Sequence, residues 1–159
     1  MCLVEADLRR PAIANFFGLD GNIGLSDVLV SDVDLEDVLV RWENPNLTVL
    51  PAGSVPPDST ALLGSAAMAD LVRTLGARYD VVIFDSPPAL AASPAAELAK
   101  HCGQALVICR ADRTGQSALE DALSLLSACP DIKLLLNSAN FSPSGRRFGD
   151  YYGYGGASA

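Results

Sequence analysis

Five short stretches of the chain, 1–5, 47–51, 81–84, 105–110 and 132–136, are almost continuously apolar and rich in Val, Ile and Leu. Runs of that length and composition predict strands covered on both faces. Between them the apolar residues switch to helical spacing. Residues 25–30 and 35–41 predict short helices, the second opening after Asp34 as N-cap. Ser65 caps a helix running to about Leu75, with Met68, Leu71, Val72 and Leu75 on one face. Ser93 and Pro94 supply a cap and a first-turn proline ahead of 95–101, and 117–128 carries Leu119, Leu123 and Leu126 before Pro130. Strands alternating with helices predict an α/β fold, a mostly parallel sheet with helices on both faces. Residues 52–60 read as a Pro-rich loop, too short for a domain linker. From Phe141 the pattern gives way to Ser, Gly, Arg and Tyr, so 141–159 reads as a flexible tail.

At 159 residues with 50% hydrophobic and 19% charged side chains, the chain is one ordinary domain and is too apolar to be disordered throughout. No apolar run approaches the ~20 residues of a membrane span, and no secretory leader is recognisable. The net charge of −8 argues against bulk nucleic-acid binding, which needs clustered Lys and Arg. Five of the acids fall between Asp27 and Asp37, the pattern of a solvated helix face. Cys2, Cys102, Cys109 and Cys129 show no metal-ligand spacing and read as buried, reduced thiols of a reducing compartment.

Parallel sheets bind ligands beyond the carboxyl ends of their strands. The strand 81–84 delivers Asp85 there, followed by Ser86-Pro87-Pro88. A carboxylate so placed suits Mg2+, directly or through water; the alternative is an Asp that caps the turn. The first strand ends Glu5-Ala6-Asp7-Leu8-Arg9-Arg10-Pro11. Alternation puts Glu5 and Asp7 on one side, facing a metal–phosphate centre, unless they belong to a surface salt-bridge cluster. Arg9 or Arg10 then pairs with phosphate or holds the carboxylates. His101, the single histidine, reads as a helix-end residue, Trp42 as packing near a helix end, and Ser86 lacks the Gly-x-Ser-x-Gly turn of a hydrolase nucleophile.

Glu5-Ala6-Asp7-Leu8-Arg9-Arg10-Pro11, Gly24-Leu25-Ser26-Asp27-Val28-Leu29, Val49-Leu50-Pro51-Ala52-Gly53, Phe84-Asp85-Ser86-Pro87-Pro88 and Tyr151-Tyr152-Gly153-Tyr154 occur here in one order. In that order the chain resembles the bacterial tyrosine autokinases that regulate capsule and exopolysaccharide export. With His101-Cys102-Gly103-Gln104 and Arg113-Thr114-Gly115-Gln116 it is most similar to the exosortase-associated branch. The resemblance implies a three-layer, P-loop NTPase-like fold of the MinD/ParA type and a kinase using Mg2+ and ATP. It places Asp7 and Arg9 in a second Walker-type motif and Asp85 in Walker B, with Asp7 and Asp85 organising Mg2+. Glu5 stands where the family usually has Asp, near the attacking tyrosine as a base. Asn137 matches the residue that contacts the nucleotide base, or else caps a turn. Tyr151, Tyr152 and Tyr154 become phosphoacceptors. Self-association, a membrane-embedded activator of the polysaccharide co-polymerase type and a cytoplasmic location are also implied.

A P-loop needs Gly-rich amides followed by Gly-Lys-Ser/Thr. The two lysines, Lys100 and Lys133, stand in other surroundings. Residues 1–140 are therefore expected to be a partial kinase domain lacking the first strand and P-loop, with 141–159 the tail. Three functions compete: the C-terminal portion of an autokinase that phosphorylates tail tyrosines in trans, a catalytically inactive remnant or regulatory binding module, and a partitioning-type ATPase. The tyrosine cluster disfavours the last.

Overall fold

The computed structural model describes residues 1–31, 33–42, 46–90 and 93–139. Strand β1 (Cys2–Glu5) leads through the short helices α1 (Ile13–Phe17), α2 (Leu25–Val30) and α3 (Leu35–Val38) to β2 (Val40–Arg41) and β3 (Thr48–Leu50). Then come α4 (Ser59–Leu63), α5 (Ala66–Arg78), β4 (Val82–Asp85), α6 (Pro94–Ala99), β5 (Ala105–Arg110), α7 (Gln116–Leu125) and β6 (Ile132–Asn137). All five strands expected from the apolar runs are present, within about a residue of the expected ends. No helix among the described residues is long and apolar enough to cross a membrane.

The strands form two sheets, one of order β2-β3-β1-β4 and one of β5-β6. Pairing is parallel throughout except for β2, which runs antiparallel to β3. β2 is the element that periodicity missed. Helix α3 stops at Val38, short of the expected Arg41, because Val40 and Arg41 gain ladder bonds by pairing with Val49 and Thr48. Trp42 follows and meets the edge of Phe17 at 5.0 Å between ring centroids. Helix α4, inside the expected 52–60 loop and beyond it, is the other addition. Asp58 caps it by accepting the N–H groups of Thr60 and Ala61, both at 3.0 Å. Ser65 caps α5 through the Met68 N–H at 3.1 Å, and Met68, Leu71 and Leu75 are buried at the three- and four-residue spacing of one face.

Those side chains meet Cys2, Val4, Leu25, Leu50, Leu63 and Leu98 in the main core, with Val82 and Phe84 packed against it. A smaller cluster of Ala99, Leu126 and Cys129 lies under Ala105, Val107 and Ile132. Coverage of both faces holds for β1 and β3 and stops at β4. Val81, Ile83, Leu106, Ile108 and Leu135 are large, apolar and 41–61% exposed. β4 pairs only with β1 and β5 only with β6 among the described residues, so one edge of each carries no strand. The expected burial fails on one face, where alternate residues of β4 and β5 stay exposed and no described element covers them.

Candidate active site

The carboxyl ends of β1 and β4 lie side by side, with Glu5 in register with Asp85 and the Ala6 N–H donating to the Asp85 carbonyl at 2.8 Å. Asp85 ends its strand exposed to solvent, and Pro87 behind it is buried. Desolvation raises the Asp85 carboxyl above the usual carboxylate range, and the negative charges of Glu5 and Asp7 add to that rise. Asp85 therefore sits in the negative field of two neighbouring acids, which is the field a divalent cation relieves.

Their side chains are used differently. One Asp7 oxygen accepts the N–H groups of Arg9, at 3.3 Å, and Arg10, at 3.1 Å, folding 7–10 into a turn. Its other oxygen accepts no bond among the described residues. The Arg9 Nε donates to Ser59 Oγ at 3.1 Å, tying the β1 exit to the first residue of α4. Glu5 is 1% exposed. Its Oε1 accepts the N–H groups of Ala12 and Ile13 at the start of α1, and its Oε2 that of Ala52 at 3.3 Å. A cleft of about 190 Å³ lined by Glu5, Pro11, Ala14, Asn15, Gly21 and Asn22 runs along α1.

Asn137 ends β6, in the other sheet. Its Oδ1 accepts the Ser138 N–H at 2.7 Å, and Ser138 adopts a φ of 58°, so the side chain caps a turn. Tyr151, Tyr152 and Tyr154 lie outside the described residues. Among the described residues no group of three or more His, Cys, Asp or Glu is arranged around a common metal position. Asp7 and Asp85, each with carboxylate oxygen that accepts no hydrogen bond from the described residues, fit a shared Mg2+ completed by water and phosphate oxygens.

Sequence reasoning missed a clasp beside the site. Asp27 closes back on α2, accepting the N–H of Gly24 at 2.8 Å and of Ser54 at 3.2 Å, while Leu25 and Ser26 donate to Pro51 and Ala52 carbonyls. Burial acts upward on the Asp27 carboxyl, yet the Gly24 and Ser54 hydrogen bonds hold it below the usual range. The Gly-x-x-Asp spacing ahead of an apolar run was the available signal. Asp27 is thus no member of a solvated acidic face. The cysteines are free, as expected, and burial pushes the Cys2 and Cys102 thiols up to about 11, Cys129 adding to the rise at Cys102.

No family model matches the sequence. Tyrosine-protein kinase CpsD of Streptococcus agalactiae is 31% identical over 156 residues, covering 96% of this chain and 67% of that protein. The chain spans from 16% to 67% of the length of the curated relatives it matches. Among solved structures, the kinase domain of the Escherichia coli tyrosine kinase ETK superposes with a TM-score of 0.83 at 28% identity, over 90% of this chain and 57% of that one. A plasmid partition protein from Borrelia burgdorferi shares the fold alone, with a TM-score of 0.64 at 14% identity, over 94% of this chain and 70% of that one.

Proposed function

This chain belongs to the family of bacterial tyrosine-protein kinases, and on that premise we propose that it is the acid-bearing portion of an ATP-dependent tyrosine autokinase of exopolysaccharide biosynthesis. The observation that carries the reading is the juxtaposition of Asp7 and Asp85 at the carboxyl ends of adjacent parallel strands, with Asp85 raised by its acidic neighbours. Phosphoryl transfer to a tyrosine hydroxyl is chiefly positioning and charge neutralisation. Asp7 and Asp85 would hold Mg2+, which supplies the neutralising charge on the β- and γ-phosphates. The turn over 7–10 and the Arg9–Ser59 bond keep Asp7 in place. The phosphate-cradling segment with its lysine comes from outside residues 1–159, since neither Lys100 nor Lys133 follows a Gly-rich run. Asn137, the last residue of β6, is the candidate contact to the nucleotide base.

The acceptors are Tyr151, Tyr152 and Tyr154, presented to a neighbouring copy, and a membrane-embedded activator brings such copies together at the cytoplasmic face. The test is a polypeptide extended N-terminally by a Gly-rich segment ending Gly-Lys-Ser/Thr, supplied with labelled ATP and Mg2+. Asp7→Asn and Asp85→Asn each lower autophosphorylation by about 100-fold or more while preserving the circular-dichroism spectrum. Mass spectrometry then finds phosphate on the three tail tyrosines, including on an Asp85→Asn copy mixed with the active one. Unchanged activity in Asp85→Asn overturns the assignment.

A further inference from the structure

We propose that Glu5 is a positioning residue that clamps the acid-bearing loop of this site, and that it does not take the proton from the acceptor hydroxyl. The inference rests on the reading of the site as a phosphotransfer centre. Glu5 is the most buried acid near that centre, and its carboxylate is spent on three backbone N–H groups from two other segments. Helix α1 has no side-chain cap from its own N-cap residue, Ala12, so Glu5 supplies that cap from β1. The same carboxylate reaches the exit of β3 at Ala52. Bonding Glu5 to Ala12 closes a loop that contains Asp7, Arg9 and Arg10, and the Asp7 turn tightens the loop from inside.

A general base must come within about 2.6–3.2 Å of the hydroxyl it deprotonates. The cleft along α1 reaches the Glu5 side chain yet leaves it 1% exposed, so a tyrosine from another copy meets other atoms first. Abstraction would also require the carboxylate to give up the amide hydrogen bonds that tie β1 to α1 and to the exit of β3. The geometry explains why Glu serves here. One carboxylate spans from β1 to both α1 and β3, and an Asp, shorter by one methylene, loses one of the two.

Glu5→Asp and Glu5→Gln decide the matter. In residues 1–159, both substitutions are expected to cut the hydrogen-exchange protection of the Ala12, Ile13 and Ala52 amides by 10-fold or more while β5 and β6 keep theirs. In the N-terminally extended kinase, both are expected to raise the KM for Mg·ATP several-fold and lower kcat, with the shape of the pH–rate profile unchanged and no rescue by Glu5→Asp. Full activity in Glu5→Asp, with loss of the acid limb and intact protection in Glu5→Gln, would establish a base and overturn the proposal. Uniform loss of protection across both sheets would also overturn it. If the unsubstituted extended kinase transfers no phosphate, the proposed function fails, and the exchange measurement on 1–159 still decides the clamp.

Discussion

Asp85 and Asp27 both sit where an element meets a loop, and their surroundings push them in opposite directions. Burial and two like charges raise Asp85, so the folded chain binds that proton more readily than the unfolded chain does. Stability therefore falls as pH rises from the ordinary carboxylate range through the raised folded value. Asp85→Asn removes the penalty and raises Tm at pH 7 by about 1–2 °C, because exposed like charges are worth less than ~1 kcal/mol. Melts below about pH 3.9 show no such gain. Magnesium chloride raises the Tm of the unchanged chain and leaves Asp85→Asn unmoved. Equal melting of the two chains at pH 7 would remove the like-charge account. For Asp27 the sign reverses. Its lowered carboxyl contributes stability above the unfolded value, and that contribution is lost as pH falls through the folded one. Asp27→Ala, which removes the acceptor of the Gly24 and Ser54 N–H groups, costs about 1–2 kcal/mol in urea titrations at pH 7, and the gap narrows below about pH 3.9.

Among the elements, α2 is held to the exit of β3 by backbone hydrogen bonds as well as by the packing of Leu25 in the core with Leu50. A Cβ on Gly24 would lie 2.2 Å from the Pro51 carbonyl oxygen, so no side chain fits while Leu25 and Ser26 donate to Pro51 and Ala52. Gly53 has a φ of +77° and faces Asp27 equally closely. Gly24→Ala is expected to cost at least about 2–3 kcal/mol, because the clash is with backbone that cannot rotate away. Gly76, on the open side of α5, has nothing within reach of an added Cβ, and Gly76→Ala stabilises by about 0.5–1 kcal/mol. Chemical denaturation of the two variants checks both signs. The clasp matters for the site because Ala52, in the same exit loop as Gly53, is the third donor to Glu5.

At the scale of the molecule, the division into two sheets leaves one edge of β4 and one of β5 without a strand among the described residues. On the uncovered faces of these strands Ile83, Ile108 and their neighbours expose apolar surface, and open edges together with apolar faces promote association. Residues 1–159 are therefore expected to bind an apolar fluorescent dye and to show concentration-dependent sedimentation. The N-terminal extension suppresses both. A dye-silent monomer would show that the exposed face is covered by other means. Because neither Lys100 nor Lys133 follows a Gly-rich run, calorimetry on residues 1–159 is expected to find Mg·ATP binding weaker than micromolar. Phosphates on Tyr151, Tyr152 and Tyr154 would each add about −1.5 to −2 charges to a chain already at −8. Phosphorylated extended kinase then sediments as smaller species than the unphosphorylated form.

Apolar runs alone were enough to place five of the six strands, because a buried parallel strand needs an unbroken hydrophobic segment whatever surrounds it. Caps at Asp34 and Ser65 were legible for the same local reason. The strand-end acids Asp7 and Asp85 could be named as candidate site residues from the rule that ligands meet the carboxyl edge of such sheets, and the structure sets the ends of their strands side by side. Strand β2 could not be read, since two residues gain a conformation only from the edge they pair with. The exposure of β4, β5 and β6 was equally hidden, because a sequence records what a strand must bury and not whether a neighbour is present to bury it. Glu5 is the sharpest case. Its place in the motif suggested a base beside Asp7, whereas the tertiary structure brings Ala12, Ile13 and Ala52 around its carboxylate. Long-range closure between β1, α1 and β3 decides what that side chain has left to offer.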